Sequence, residues 1–458
     1  MRKMSKSYEA DAGRRLPFFQ INLLFISLGC DKNLVDSEGM LGLLDKKGIQ
    51  IVDEEEKADV IVINTCCFIH DAKEESIQTI LEMAEYKKTG KLKALIVTGC
   101  LAQRYQEEIL TEIPEVDAVL GTTACDRIAD VIGDALNGKG HVVLGDIDAP
   151  PLTGGNRLVT TGGHYAYLKI AEGCDKHCTY CIIPRLRGNY RSVPMESLLE
   201  EAEVLASKGV KELILVAQET TLYGRDLYGE KSLHVLLKRL CRIEGLRWIR
   251  ILYCYPEEIY DEMIQVMKEE KKICHYLDIP IQHASDEILK RMGRRTSKEQ
   301  LTRIMGKLRE EMPDIVLRTT LITGFPGETK EQHEELLQFV DDMEFDRLGV
   351  FTYSPEEDTP AADMPGQLEE EVKKERQAEL QQEIVFEQAE DRKGEELLVM
   401  IEGRIAGEEA YVGRTYMDAP GVDGLIFVNT DKELMSGDFA RVKVTGALEY
   451  DLIGELVE

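Results

Sequence analysis

The chain of 458 residues carries 85 acidic against 56 basic side chains, a formal net charge of -29, with 43% apolar and 31% charged residues. That is the composition of a globular protein, neither disordered nor membrane-embedded. So large an acidic excess argues against sequence-independent binding to nucleic-acid phosphates and suits a basic protein partner. At roughly 150 residues per domain the length predicts about three domains. No apolar run reaches the roughly 18 residues that span a bilayer, and the charged stretch Met1 to Pro17 lacks a signal-peptide core. A cytoplasmic protein without membrane contact is expected. In that reducing compartment the 11 cysteines point to metal ligands or reactive thiols rather than disulfides.

Taken in chain order, strand-like runs at Asn22 to Leu28, Asp59 to Asn64, Ala94 to Thr98 and Ala118 to Leu120 alternate with helix-like stretches at Asp36 to Lys47, Ala72 to Lys87, Gln103 to Thr111 and Cys125 to Leu136. Interleaved strands and helices predict a parallel-sheet α/β domain over 21–137. Gly and Pro pairs then break the pattern, and 138–162 reads as a linker. A second βα series spans 163–392, with strands at Tyr165 to Ile170, Glu212 to Ala217, Trp248 to Tyr253, Tyr276 to Ile279, Val316 to Thr323 and Arg347 to Thr352. Six strands fall short of a complete eight-stranded barrel, so a partial (βα)6 barrel is predicted. The charged run Leu368 to Lys393 reads as a trailing solvated helix. Over 393–458 the period shortens to alternating runs such as Leu397 to Glu402, Leu425 to Val428 and Phe439 to Val444, which predicts a small antiparallel β-barrel.

Cys174, Cys178 and Cys181 form a C-x-x-x-C-x-x-C trio in the loop after the first strand of the second series. A structural zinc site wants four ligands, and here only His177 could join the three thiols. Three thiolates can instead hold three corners of a four-iron cluster, leaving one iron open to an exogenous ligand. The spacing, with an aromatic before the last Cys, resembles that of the radical S-adenosylmethionine (SAM) enzymes. Three further cysteines, Cys30, Cys66 and Cys100, each follow a predicted parallel strand of the first domain. Sites in open α/β sheets form beyond the carboxyl ends of strands, so these three can converge into a second cluster site. A small buried core residue is the alternative at each position.

The segments Ser27-Leu28-Gly29-Cys30-Asp31-Lys32-Asn33-Leu34-Val35-Asp36-Ser37-Glu38, Asn64-Thr65-Cys66-Cys67-Phe68-Ile69 and Gly99-Cys100-Leu101-Ala102-Gln103-Arg104-Tyr105 resemble the N-terminal motifs of the methylthiotransferase family. With the Cys174 trio and the terminal β-domain, which resembles the TRAM type, the resemblance covers nearly the whole chain from about residue 21. The run Lys32 to Ser37, and Gly413-Arg414-Thr415 followed by Asp418-Ala419-Pro420 and Val422-Asp423-Gly424, resemble the branch that acts on a ribosomal protein. Asp31, where that branch usually has Pro, and Cys67, where a small residue is common, depart from its pattern. Side-chain alternation at the strand end favours Cys66 over Cys67 as the middle ligand.

The resemblance implies two [4Fe-4S] clusters, the first on Cys30, Cys66 and Cys100, the second on Cys174, Cys178 and Cys181 with SAM at its open iron. It implies methylthiolation of the β-carbon of an aspartate in small-subunit ribosomal protein twelve, by hydrogen abstraction, sulfur insertion and methyl transfer from a second SAM. A tRNA adenosine derivative is the alternative substrate, and a non-catalytic iron-sulfur carrier or electron-transfer protein the alternative class. An electron donor of flavodoxin or ferredoxin type is expected; the sulfur donor is left open. Tyr180 is a candidate SAM contact, as are Gly324 and Gly327 in a loop after a barrel strand, where a tight turn is the competing reading. Gln218 to Thr221 and Gln282-His283 lie just past strand ends on the functional face of such a barrel, candidates to touch substrate or cofactor, with helix caps and loop packing as their default roles. Cys125, Cys241, Cys254 and Cys274 read as core residues. From Glu395 to Glu458 there are 14 acidic and 5 basic residues, so the terminal barrel is expected to dock a basic ribosomal protein and not RNA.

Overall fold

The computed structural model describes residues 21–152, 157–382, 392–448 and 451–457. The expectation for Met1 to Pro17, and that for 383–391 of the trailing helix, lie outside them. Strands β1 (Asn22–Ser27), β2 (Gln50–Ile51), β3 (Val60–Thr65), β4 (Ala94–Gly99), β5 (Ala118–Leu120) and β6 (Val142–Val143) form a parallel sheet in the order β2-β1-β3-β4-β5-β6. β3 and β4 are apolar without alternation because helices cover both faces, and every residue in them is buried. β2 and β6 were not expected, since two residues carry no readable period. β6 lies inside the stretch read as a linker. Further along that stretch, Glu38 on the first helix (Asp31–Asp45) accepts hydrogen bonds from the Thr160 N–H (2.7 Å) and hydroxyl (3.0 Å) and pairs with buried Arg157. The segment is therefore fastened to the first domain.

In the second series a short antiparallel pair, β8 (Ala171–Glu172) and β9 (Arg191–Ser192), flanks the cysteine loop just after β7 (Tyr165–Lys169). β7 joins β10 (Glu212–Val216), β11 (Trp248–Ile251), β12 (Ile273–Asp278), β13 (Val316–Thr323) and β14 (Arg347–Thr352) in a parallel sheet of order β14-β13-β12-β11-β10-β7. This is the expected partial barrel, with β7 and β14 at its two edges. Apolar faces of helices such as Leu233–Leu240 and Asp261–Glu269 close over it. The helix Glu370–Gln382 follows. No helix among the described residues is long and apolar enough to cross a membrane.

The last strands, β15 (Glu396–Arg404), β16 (Ala410–Arg414), β17 (Ile426–Asn429), β18 (Phe439–Leu448) and β19 (Asp451–Leu456), close into a barrel. Its pairs are antiparallel except β17 with β19, which run parallel, so the expectation of an all-antiparallel barrel is corrected there. The barrel packs on the second sheet, sharing one apolar core with it. Buried Glu212 sits between Arg250 and Arg414, each at 2.7 Å. Asp418 pairs with Arg347 at 2.6 Å and Asp423 with Arg318 at 3.2 Å. Some of the barrel's acidic excess thus faces inward, and seven acidic against four basic side chains remain exposed among its described residues.

Candidate active site

Because β1, β3 and β4 are neighbours in the sheet, the loops holding Cys30, Cys66 and Cys100 lie side by side at its carboxyl edge. Gly29 has φ +87°, and a Cβ there would stand 2.7 Å from Cys66 Cβ. Only glycine lets the Cys30 loop approach Cys66 so closely. The Asn33 amide then ties the loops together by donating to the carbonyls of Leu28 (3.2 Å) and Thr65 (3.0 Å). Ser76 clamps both backbone polar groups of Cys66.

Burial pushes the Cys66 thiol up to about 12, and repulsion from Cys100 and Cys30 adds to this against the Phe68 N–H. Burial raises Cys100 too, with Arg187 opposing and Cys30 adding. Cys66 and Cys100 are buried, whereas Cys30 is exposed at the surface end of the site. Cys67 is fully buried with Ile63 and Val97; burial raises its thiol, and repulsion from Cys100 adds to this against Arg104.

The second trio lies in the loop that β8 and β9 flank. Cys174 N–H donates to Gly188 O (3.1 Å), Cys181 N–H to Cys178 O (3.0 Å), and Thr179 bonds Met292 O and Arg291 O. Burial raises the Cys174 thiol to about 12, opposed by the Lys176 N–H, with Cys178 adding repulsion. Cys181 is raised by burial, opposed by the Ile183 N–H, with Cys178 and Cys174 adding repulsion. A cavity of about 480 Å³ beside the loop is lined by Cys178, Cys181, His177, Arg185 and Asp358.

Among the described residues no three His, Cys, Asp or Glu side chains converge tightly enough to chelate a single metal ion. Cys66, Cys174 and Cys181 each accept a backbone N–H and are repelled by other thiols of their trio, a donor set that fits an iron-sulfur cluster, whose cationic iron would remove the repulsion.

Tyr180 packs with Phe325, Tyr353 and Met292, and burial, then repulsion from Cys178, raises its hydroxyl, so the structure brings it to the second trio and to the loop of Gly324. The open faces of Gly324 and Gly327 are filled by Lys373 and Arg291 of the chain itself. That favours the tight-turn reading over close approach to a nucleoside. His283 is fully buried and accepts from Ser285 N–H at 2.9 Å, a structural role. Gln218 accepts from Gly173 N–H (2.9 Å) and donates to Glu172 (2.7 Å), bracing the cysteine loop and not capping a helix. Glu219 is buried with its carboxyl raised to about 8 by burial.

Sequence reasoning missed Arg187, which reaches Cys100 and Glu172. It also missed the contact of Lys32 with Tyr253. The contacts of Arg187 with Cys100 and of Lys32 with Tyr253 have no sequence signal, because each joins residues of different domains.

The chain matches the uncharacterized protein family UPF0004 over residues 22–121, the radical SAM superfamily over 168–340 and the TRAM domain over 394–457. It is 65% identical to "Ribosomal protein uS12 methylthiotransferase RimO" of Lachnoclostridium phytofermentans, over 95% of this chain and 99% of that protein. It is 52% identical to the protein of the same name from Acetivibrio thermocellus, over 94% and 97%. Among solved structures, the radical SAM methyltransferase TsrM of Kitasatospora setae, with cobalamin and a [4Fe-4S] cluster bound, aligns at TM-score 0.53 and 14% identity, over 74% of this chain and 76% of that one. That likeness is one of fold. With three domain families in this order and such identity along nearly its whole length, the chain belongs to the RimO family of radical SAM methylthiotransferases.

Proposed function

We propose that this chain methylthiolates the β-carbon of an aspartate in small-subunit ribosomal protein uS12. In this reading Cys30, Cys66 and Cys100 hold one [4Fe-4S] cluster, and Cys174, Cys178 and Cys181 hold a second that binds SAM. The observation that carries it is the 65% identity, over 95% of the chain, to a protein named for that activity. When bound, the clusters and SAM supply radical hydrogen abstraction, the sulfur and the methyl group.

The chain's own contribution is placement. Gly29 and Asn33 hold the first three loops together, and the N–H groups of Phe68, Lys176 and Ile183 orient thiolates of both trios. Tyr180 and Tyr255 wall the Cys178 side and limit water there. The acidic surface attracts a basic ribosomal protein. A cytoplasmic location and an electron donor of flavodoxin or ferredoxin type complete the reading. Anaerobic reconstitution tests it: the C174A/C178A/C181A variant should hold about four irons where the wild type holds about eight, and should no longer cleave SAM. Cleavage that persists contradicts the assignment of the second trio.

A further inference from the structure

Between the two cysteine trios lies a buried group of charges that neither trio requires. Arg187 ends the short helix Ile183–Arg187 just after Cys181 and is 2% exposed. Its Nη2 donates to Asn33 Oδ1 and lies 3.5 Å from Cys100 Sγ. Its Nη1 donates to Asp36 Oδ2 (2.7 Å) and Glu172 Oε2 (3.3 Å). Lys169 meets the same two carboxylates, so they have a cationic partner even without the arginine. What Lys169 does not do is reach the first cysteine site.

We propose that Arg187 is a positioning residue that couples the two trios, one arm of its guanidinium hydrogen-bonding the Cys100 sulfur of the first cluster, the other fixing Glu172 at the entrance to the second cluster's loop. This rests on the cluster assignment above. The path is short: Cys100 to Arg187 to Glu172, whose backbone continues through Gly173 to Cys174, with Gln218 bracing both Glu172 and Gly173. A planar fork serves several acceptors in fixed directions, as an ammonium cannot. A positive donor on a cluster sulfur favours the reduced cluster, so its removal lowers the reduction potential.

The test uses full-length C174A/C178A/C181A protein, reconstituted anaerobically so that only the first cluster is present. Its midpoint potential is measured by a redox titration followed by electron paramagnetic resonance, with Arg187 intact and as Arg187→Lys and Arg187→Gln. Each protein should hold about four irons, with the Gln variant at the most negative potential and the Lys variant between it and the parent. If the Gln variant does not load, the Lys variant decides: a potential below the parent's supports the Arg187 bond to the Cys100 sulfur on which the coupling depends, and an equal one overturns it. Equal potentials in all three loaded proteins overturn the inference and leave the cluster reading standing. A parent without iron overturns the cluster reading, and this inference with it.

Discussion

The ammonium of Lys32 stands 3.2 Å from the centroid of the Tyr253 ring, joining the first cysteine loop to the end of β11. Asp31 completes the contact, pairing with Lys32 at 2.9 Å and accepting from the Tyr253 hydroxyl at 3.3 Å. Tyr253 has φ +61°, a conformation costly for a side chain of its size, so these contacts hold it there. Replacing Tyr253 with Leu should cost about 2 kcal/mol by removing a desolvated cation–π contact. Replacing it with Phe should cost only about 1 kcal/mol, for the hydrogen bond. Urea unfolding midpoints should fall in the order wild type, Phe, Leu; equal midpoints for Leu and wild type would contradict the contact's role.

Glu212, Arg250 and Arg414 are buried where the terminal barrel meets the second sheet. Burial alone would raise the Glu212 carboxyl, but Arg414 and Arg250 outweigh it and hold the group below the usual range. Arg414→Met removes one cation from a fully buried set and should cost about 3 kcal/mol. The barrel should then detach more readily, seen as its faster release in limited proteolysis. A digestion rate equal to wild type would show that apolar packing alone holds the barrel.

His283 should make stability depend on acid. Burial first, then the positive charges of His333 and Arg376, lower it from 6.5 to about 3. The folded state therefore resists a proton that the unfolded chain takes up below about pH 6.5. The stabilisation is fully present above that pH and is lost as pH falls toward 3, by about 1.4 kcal/mol per unit. His283→Asn keeps an acceptor for Ser285 N–H and should flatten the decline between pH 6.5 and 5. An unchanged slope would assign the acid sensitivity to other groups.

Adjacent cysteines at the end of β3 should behave differently. Cys66→Ala should lose the first cluster and leave about four irons, whereas Cys67→Ala, whose side chain turns into apolar packing, should keep about eight. The reverse result would exchange their roles.

Much of this architecture could be read from periodicity. The runs around Val60 to Thr65 and Ala94 to Gly99 are unbroken apolar strands, while a cysteine directly after each leaves a cluster ligand and a small core residue both open without the family resemblance. Gln50–Ile51 and Val142–Val143 were not readable, because two residues pair only where neighbouring strands already stand. Arg187 was not readable either, since its partners Asn33 and Cys100 lie 154 and 87 residues away and a buried arginine looks like any other in a charged chain. The acidic excess of the barrel misled in part. Asp418 and Asp423 count toward the net charge, yet they bond Arg347 and Arg318 inside the molecule.

The most direct measurement is mass spectrometry of uS12 and of tRNA from a strain that lacks the gene for this chain, before and after the gene is restored. Restoration should return a methylthio group to one aspartate of uS12 and leave tRNA unchanged, and the six-cysteine Ala variant should restore nothing. A methylthio group that returns to a tRNA adenosine while uS12 stays unmodified would contradict the proposed substrate.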